Sequence, residues 1–213
     1  MDTKAKTDVI VKAVTSRRGR ALLFGVIVGS LIGLYLFTTD NQPTAELVVE
    51  EAAAPQEAYA LAPSEPTRLR IPKLDIDTTF VPPLGLLPNG EVAVPDSDTE
   101  VGWYKHSPTP GALGPAVILG HIDSYTGPAV FFYLGQLEPG DDVFVDRADG
   151  STAHFKVESL ERPRQSEFPT ERVYGNIDHA GLRLITCSGI YVKGNQRYTH
   201  NLVVYARLVS EGG

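Results

Sequence analysis

The chain has 213 residues, 42% of them hydrophobic, and a formal net charge of −7, which suits one globular domain of moderate size plus an accessory segment. That charge argues against a nucleic-acid binder, because phosphate affinity rests on clustered Lys and Arg that the chain lacks outside its first residues. His106, His121, His154, His179 and His200 form no paired ligand pattern, so no structural zinc or other metal site is expected.

Residues 1–20 carry Lys4, Lys6, Lys12, Arg17, Arg18 and Arg20 against Asp2 and Asp8. An uncharged apolar run follows from Ala21 to Thr38, close to the roughly 20 residues needed to cross a bilayer. A cleaved signal peptide is the alternative, but its apolar region is shorter, about 7–15 residues, and no Ala-x-Ala site abuts this run. We read residues 21–38 as an uncleaved transmembrane signal-anchor. Asp40, Glu46, Glu50, Glu51, Glu57 and Glu65 follow it, with no Lys or Arg before Arg68. The positive-inside rule then puts residues 1–20 in the cytoplasm and the rest of the chain outside the cell membrane. Residues 39–66 are rich in Ala, Glu and Pro and lack apolar periodicity, which reads as a flexible tether.

From Thr67 onward the pattern changes to short apolar or alternating runs bounded by Gly, Pro, Asn and Asp. Strands are expected at 68–71, 75–81, 116–120, 142–146, 153–160, 182–187 and 201–209, with Asp149-Gly150 as a hairpin turn. Short helical segments are expected within 128–137 and 167–175. This punctuation describes a mostly β domain, a sandwich or barrel, spanning residues 67–213.

Cys187 is the only cysteine, so it has no internal disulfide partner. A lone cysteine is commonly a small buried hydrophobe. Here it stands at the end of the expected strand 182–187, with Ser188-Gly189 opening a loop, which suits a thiol nucleophile facing a cleft. An outward-facing domain with a single thiol is also consistent with a cysteine kept for chemistry. His121 follows Gly120 at the exit of the apolar run Val117-Ile118-Leu119, a placement that mirrors that of Cys187. A hydrogen-bonded loop histidine is the competing reading. Stabilising an oxyanion calls for a permanent cation, and arginine fits. Downstream of Cys187 the sequence offers Arg197, at the rim of the last strand, and Arg207 within it. Arg197 is the preferred choice and Arg207 the alternate.

Several motifs in order carry a resemblance: Val101-Gly102-Trp103-Tyr104, Gly114 to Ser124 through Gly120-His121, Gly127-Pro128-Ala129-Val130-Phe131-Phe132, Leu184-Ile185-Thr186-Cys187-Ser188-Gly189, and Tyr198 to Ala206. With the basic N-terminus and membrane anchor, the chain resembles a sortase, a cysteine transpeptidase of Gram-positive cell surfaces, and is most similar to the actinobacterial class F. The resemblance implies an eight-stranded β-barrel with one or two short helices and no cofactor. It implies cleavage of a Leu-Pro-any-Thr-Gly type sorting signal between Thr and Gly, on surface proteins that carry such a signal. In this scheme Cys187 forms a thioester, His121 exchanges protons with the leaving and incoming amines, and Arg197 faces the oxyanion. The acceptor is a peptidoglycan-precursor amine or a pilin lysine. Thr186 is implied as a groove residue, with Trp103, His106 and the loop around Tyr191 as further candidates for the groove or for ordinary packing. A noncatalytic, membrane-anchored β-domain that binds cell-wall peptide or protein, with Cys187 in its core, is the reading from another functional class.

Overall fold

The computed structural model describes residues 59–194 and 197–209. The expected signal-anchor and most of the expected tether lie outside the described residues. Among the described residues, no helix is long and apolar enough to cross a membrane. The last residues of the expected tether are attached to the domain. Leu61 N–H donates to Gly111 O (2.8 Å), Ser64 N–H to Thr109 Oγ1 (3.1 Å), and the buried Arg147 donates to Ala62 O.

All seven expected strands are present. They are β1 (Pro66–Ile71), β2 (Ile76–Thr79), β4 (Gly114–Leu119), β7 (Asp142–Arg147), β8 (Thr152–Glu161), β9 (Ala180–Val192) and β10 (Arg197–Leu208). The two-residue strands β3 (Gly102–Trp103), β5 (Asp123–Ser124) and β6 (Gly127–Pro128) are too short to leave a periodic signal in the sequence. Eight strands form one sheet in the order β2-β1-β7-β8-β10-β9-β4-β3, and β5 and β6 make a separate hairpin. The sheet curls: chain just beyond β2 makes parallel bridges beside β3, Phe80 to Val101 and Leu84 to Tyr104, which brings its two edges together. The fold is therefore mostly β, a curled eight-stranded sheet.

Local chemistry sets the connections. Between β7 and β8, Gly150 takes φ +84°, Gly150 N–H donates to Arg147 O (3.0 Å) and Arg147 N–H to Ser151 O (2.9 Å), a turn that needs a left-handed residue. The expected helix within 128–137 is a run of turns ending in a 3-10 segment, Leu134–Gln136, that buries Phe131 and Leu134. The second is a 3-10 turn, Gln165–Glu167, followed by α1 (Thr170–Tyr174).

The β4–β9 ladder is parallel, and its near-continuous apolar runs are what a sheet covered on both faces requires. On one face, Ala116, Ile118, Leu182, Leu184, Leu202 and Val204 join the main core. On the other, Val117, Ile185, Val203 and Tyr205 pack beneath Val173 of α1. Removing a fully buried side chain from the main core costs transfer free energy and leaves a cavity. Leu184→Ala, at a site with no exposure, is expected to lower unfolding free energy by about 2–5 kcal/mol, read from urea denaturation.

Candidate active site

The parallel register carries the site. β4 and β9 pair through Leu119 and Ile185, and Gly120 N–H extends the ladder by donating to Ile185 O (3.2 Å). One step further along both strands stand His121 and Cys187. Alternation continues from Leu119 and Ile185, so both belong to the face covered by α1.

Gly120 is required by packing. A Cβ there would meet Phe131 Cδ2 at 2.6 Å and Val130 Cγ1 at 2.9 Å. Phe131, fully buried, also donates its N–H to His121 O (2.9 Å), so the same aromatic residue seats the glycine and fixes the histidine backbone.

The His121 ring is oriented by Nε2, 2.8 Å from Pro95 O in the β2–β3 connection. A carbonyl only accepts, so Nε2 carries the hydrogen, and in the neutral ring Nδ1 is the atom left to take up a proton.

Cys187 is half-buried and lies within β9 rather than at its end, a correction to the sequence reading. Ser188-Gly189 does not open a loop. Gly189, at φ +83°, forms a bulge: with Tyr198 opposite Tyr191 and His200 opposite Ser188, Gly189 and Ile190 stand against Thr199 alone. Ile190 N–H donates to Thr199 Oγ1 (3.0 Å) across the bulge. The bulge lets β9 continue to Val192, and Cys187 pairs with Asn201.

Burial pushes the Cys187 thiol above its ordinary value, and the neighbouring Asp123 carboxylate adds to the rise. Both effects disfavour the thiolate. Asp123 accepts a hydrogen bond from Tyr198 Oη, and burial together with this carboxylate pushes the phenol up to about 12. The Tyr198 ring lies 5.2 Å from that of its cross-strand partner Tyr191, which is 45% exposed. Asp123 thus joins Tyr198, and through it Tyr191, on the Val192 side of Cys187, while His121 leaves β4 alongside Cys187.

Arg197 begins β10 and pairs with Glu91 Oε1 (3.4 Å) from the β2–β3 connection. Arg207 stands opposite Gly181, six residues from Cys187 along β9, about 20 Å away at roughly 3.3 Å per residue. It pairs with Glu158 (2.8 Å). Arg197 stands opposite Val192, five residues from Cys187 along β9 on the side of Tyr191 and Tyr198, and Arg207 six residues away on the other side.

Of the groove candidates, Thr186 and Trp103 are buried. Thr186 is 4% exposed and alternates with Leu184 toward the main core, on the face opposite Cys187, with Oγ1 lacking a hydrogen-bond partner. Trp103 is 7% exposed, pairs with Ile118 and donates its indole N–H to Pro108 O (3.0 Å). It borders a cavity of about 400 Å³ with Phe80, Pro82 and Pro83, whose lining includes none of Cys187, His121 or Arg197. His106 is exposed against the Tyr104 ring, and His200 pairs with Ser188 and contacts Thr199 Oγ1 (2.7 Å). His154 stacks on Phe144 of β7, and His179 bonds Asp178 in a loop.

Sequence reasoning missed Asp123, Tyr198, Glu91 and Pro95. Asp123 lies two residues beyond His121 and Tyr198 directly follows Arg197, so the motifs contained them. Their meeting across the sheet is a tertiary fact.

A family model described as a Sortase domain matches residues 69–209. No curated protein matches the chain. Among solved structures, the chain is similar to a Clostridium perfringens sortase D5 transpeptidase, at 17% identity and TM-score 0.50, covering 68% of this chain and 79% of that one. Sortase C-1 from Actinomyces oris matches at 22% identity and TM-score 0.50, covering 67% and 73% respectively. Sortase A from Corynebacterium diphtheriae matches at 18% identity and TM-score 0.52, covering 70% and 62%. At these identities the structural likeness speaks for the fold.

Two outcomes follow from the geometry. The alkylation rate of Cys187 by iodoacetamide should rise with pH to a midpoint above that of a free cysteine, because only the thiolate reacts. Asp123→Asn should move that midpoint down, and a wild-type midpoint at or below the free-thiol value would contradict the burial argument. Gly120→Ala, which overpacks against Phe131, should cost about 1–3 kcal/mol in urea denaturation.

Proposed function

The chain belongs to the sortase family of cysteine transpeptidases, and from that premise we propose that it cleaves a Leu-Pro-any-Thr-Gly type sorting signal between Thr and Gly. The observation that supports this reading is the parallel β4–β9 register, which carries His121 and Cys187 forward to neighbouring positions on one face. The mechanism starts from a neutral thiol, since burial and Asp123 both hold Cys187 protonated. His121 Nδ1 takes the thiol proton as Sγ attacks the threonine carbonyl, and the resulting oxyanion is met by Arg197 and a backbone N–H. The C–N bond then breaks, His121 returns the proton to the departing glycine amine, and a threonyl thioester remains on Cys187. An incoming amine attacks that thioester and releases the thiol.

The acceptor amine belongs to a peptidoglycan precursor or a pilin lysine, and the donor is a surface protein bearing a C-terminal sorting signal. The apolar run Ala21 to Thr38 and the basic residues before it support a cell-membrane location with the catalytic domain outside. Membrane tethering would concentrate enzyme, emerging substrate and acceptor at one surface. The class F assignment rests on the ordered motifs between Val101 and Ala206.

Cleavage of a Leu-Pro-any-Thr-Gly peptide, followed by chromatography, tests the roles. Cys187→Ala should abolish turnover, His121→Ala should reduce it about 10²–10⁴-fold and Arg197→Ala about 10²–10³-fold. Arg207→Ala, which breaks an exposed ion pair, should stay near wild type. Loss in Arg207→Ala with normal turnover in Arg197→Ala would reverse the arginine assignment.

A further inference from the structure

Asp123 poses a chemical question. A carboxylate whose field reaches a nucleophilic thiol opposes thiolate formation, so its placement does not serve the attack on the sorting signal. The second half of the reaction has the opposite requirement. A primary amine arrives at neutral pH as an ammonium ion and must be held beside the thioester while it loses a proton.

Resting on the transpeptidase reading above, we propose that the Asp123 carboxylate binds the ammonium group of the acceptor and makes the site selective for cationic amines. The geometry is suited to this. Asp123 opens β5 two residues beyond His121, so the anion and the proton-exchanging ring come from one short segment. Tyr198 Oη, from β10, donates to Asp123 Oδ2 and ties the β5–β6 hairpin to the strand that pairs with the cysteine strand. Among the described residues the other oxygen, Oδ1, accepts no hydrogen bond, and Asp123 is exposed, so an ammonium can reach it from solvent. The electrostatic effect of Asp123 on both Cys187 and Tyr198 places the carboxylate's field at the reacting sulfur.

The step balances as follows. After acylation His121 is neutral, having given its proton to the departing amine. The bound ammonium gives one proton to His121 Nδ1 and attacks as a free amine. The C–N bond forms and the C–S bond breaks. A second proton from the nitrogen ends on Cys187 Sγ, and the proton on His121 passes to solvent.

The test uses the full-length chain, a Leu-Pro-any-Thr-Gly peptide and two competing nucleophiles: Nα-acetyl-lysine amide, cationic at neutral pH, and hydroxylamine, neutral there. Both products arise from one thioester, so their ratio cancels any change in acylation. Asp123→Asn keeps an oxygen to accept from Tyr198 while removing the charge. It is expected to lower the lysine-amide to hydroxamate ratio about tenfold, the scale of one charge-assisted hydrogen bond. Tyr198→Phe keeps the charge but loses the tie to the hairpin, and is expected to lower the ratio less than Asp123→Asn does. If Asp123 serves only to anchor Tyr198, the pattern inverts: Tyr198→Phe lowers the ratio and Asp123→Asn preserves it. An unchanged ratio in Asp123→Asn, with the thioester still formed, overturns this inference alone. Absence of any thioester in the wild-type chain overturns the transpeptidase reading and this inference with it.

Discussion

The parallel pairing of β4 with β9 is the constraint on which the site depends. Residues distant in sequence become neighbours because two apolar runs, Ala116 to Leu119 and Leu182 to Ile185, pack side by side with both faces covered. A slip of one residue would send every side chain to the opposite face and part the histidine from the thiol. The core on one side and the α1 cover on the other therefore fix the chemistry as well as the fold. Gly120 and Phe131 complete the arrangement by letting the chain leave β4 closely packed.

The site itself is electrostatically divided. Burial and Asp123 keep the cysteine neutral at rest, while Pro95 leaves His121 Nδ1 open to accept a proton. A resting thiol is less exposed to oxidation than a thiolate. Glu91 and Pro95 come from the same β2–β3 connection, so one segment touches both Arg197 and His121.

Seven of the eight strands of the sheet were readable in sequence because apolar periodicity and turn chemistry agreed, as at Gly150, and the two-residue β3 was not. Cys187 and His121 stand out in the sequence because each follows an apolar run. The extent of β9 was not, since Gly189 looks the same in a loop as in a bulge, and only pairing with β10 decides between them. The burial of Thr186 was legible in the alternation of β9, whereas that of Trp103 depends on tertiary packing. Leu182, Leu184 and Thr186 share one face, and that periodicity already pointed Thr186 inward. Asp123 and Tyr198 lay outside the reach of sequence because their hydrogen bond crosses from the β5–β6 hairpin to β10.

The central claim is that the thiol placed beside His121 becomes acylated. Intact-mass analysis of the full-length chain after brief exposure to a Leu-Pro-any-Thr-Gly peptide, followed by proteolytic mapping, measures this directly. The account predicts an added mass equal to the peptide through its threonine, located on the fragment containing Cys187 and released by hydroxylamine. Peptide cleavage with no such adduct, or an adduct on another residue, would contradict it.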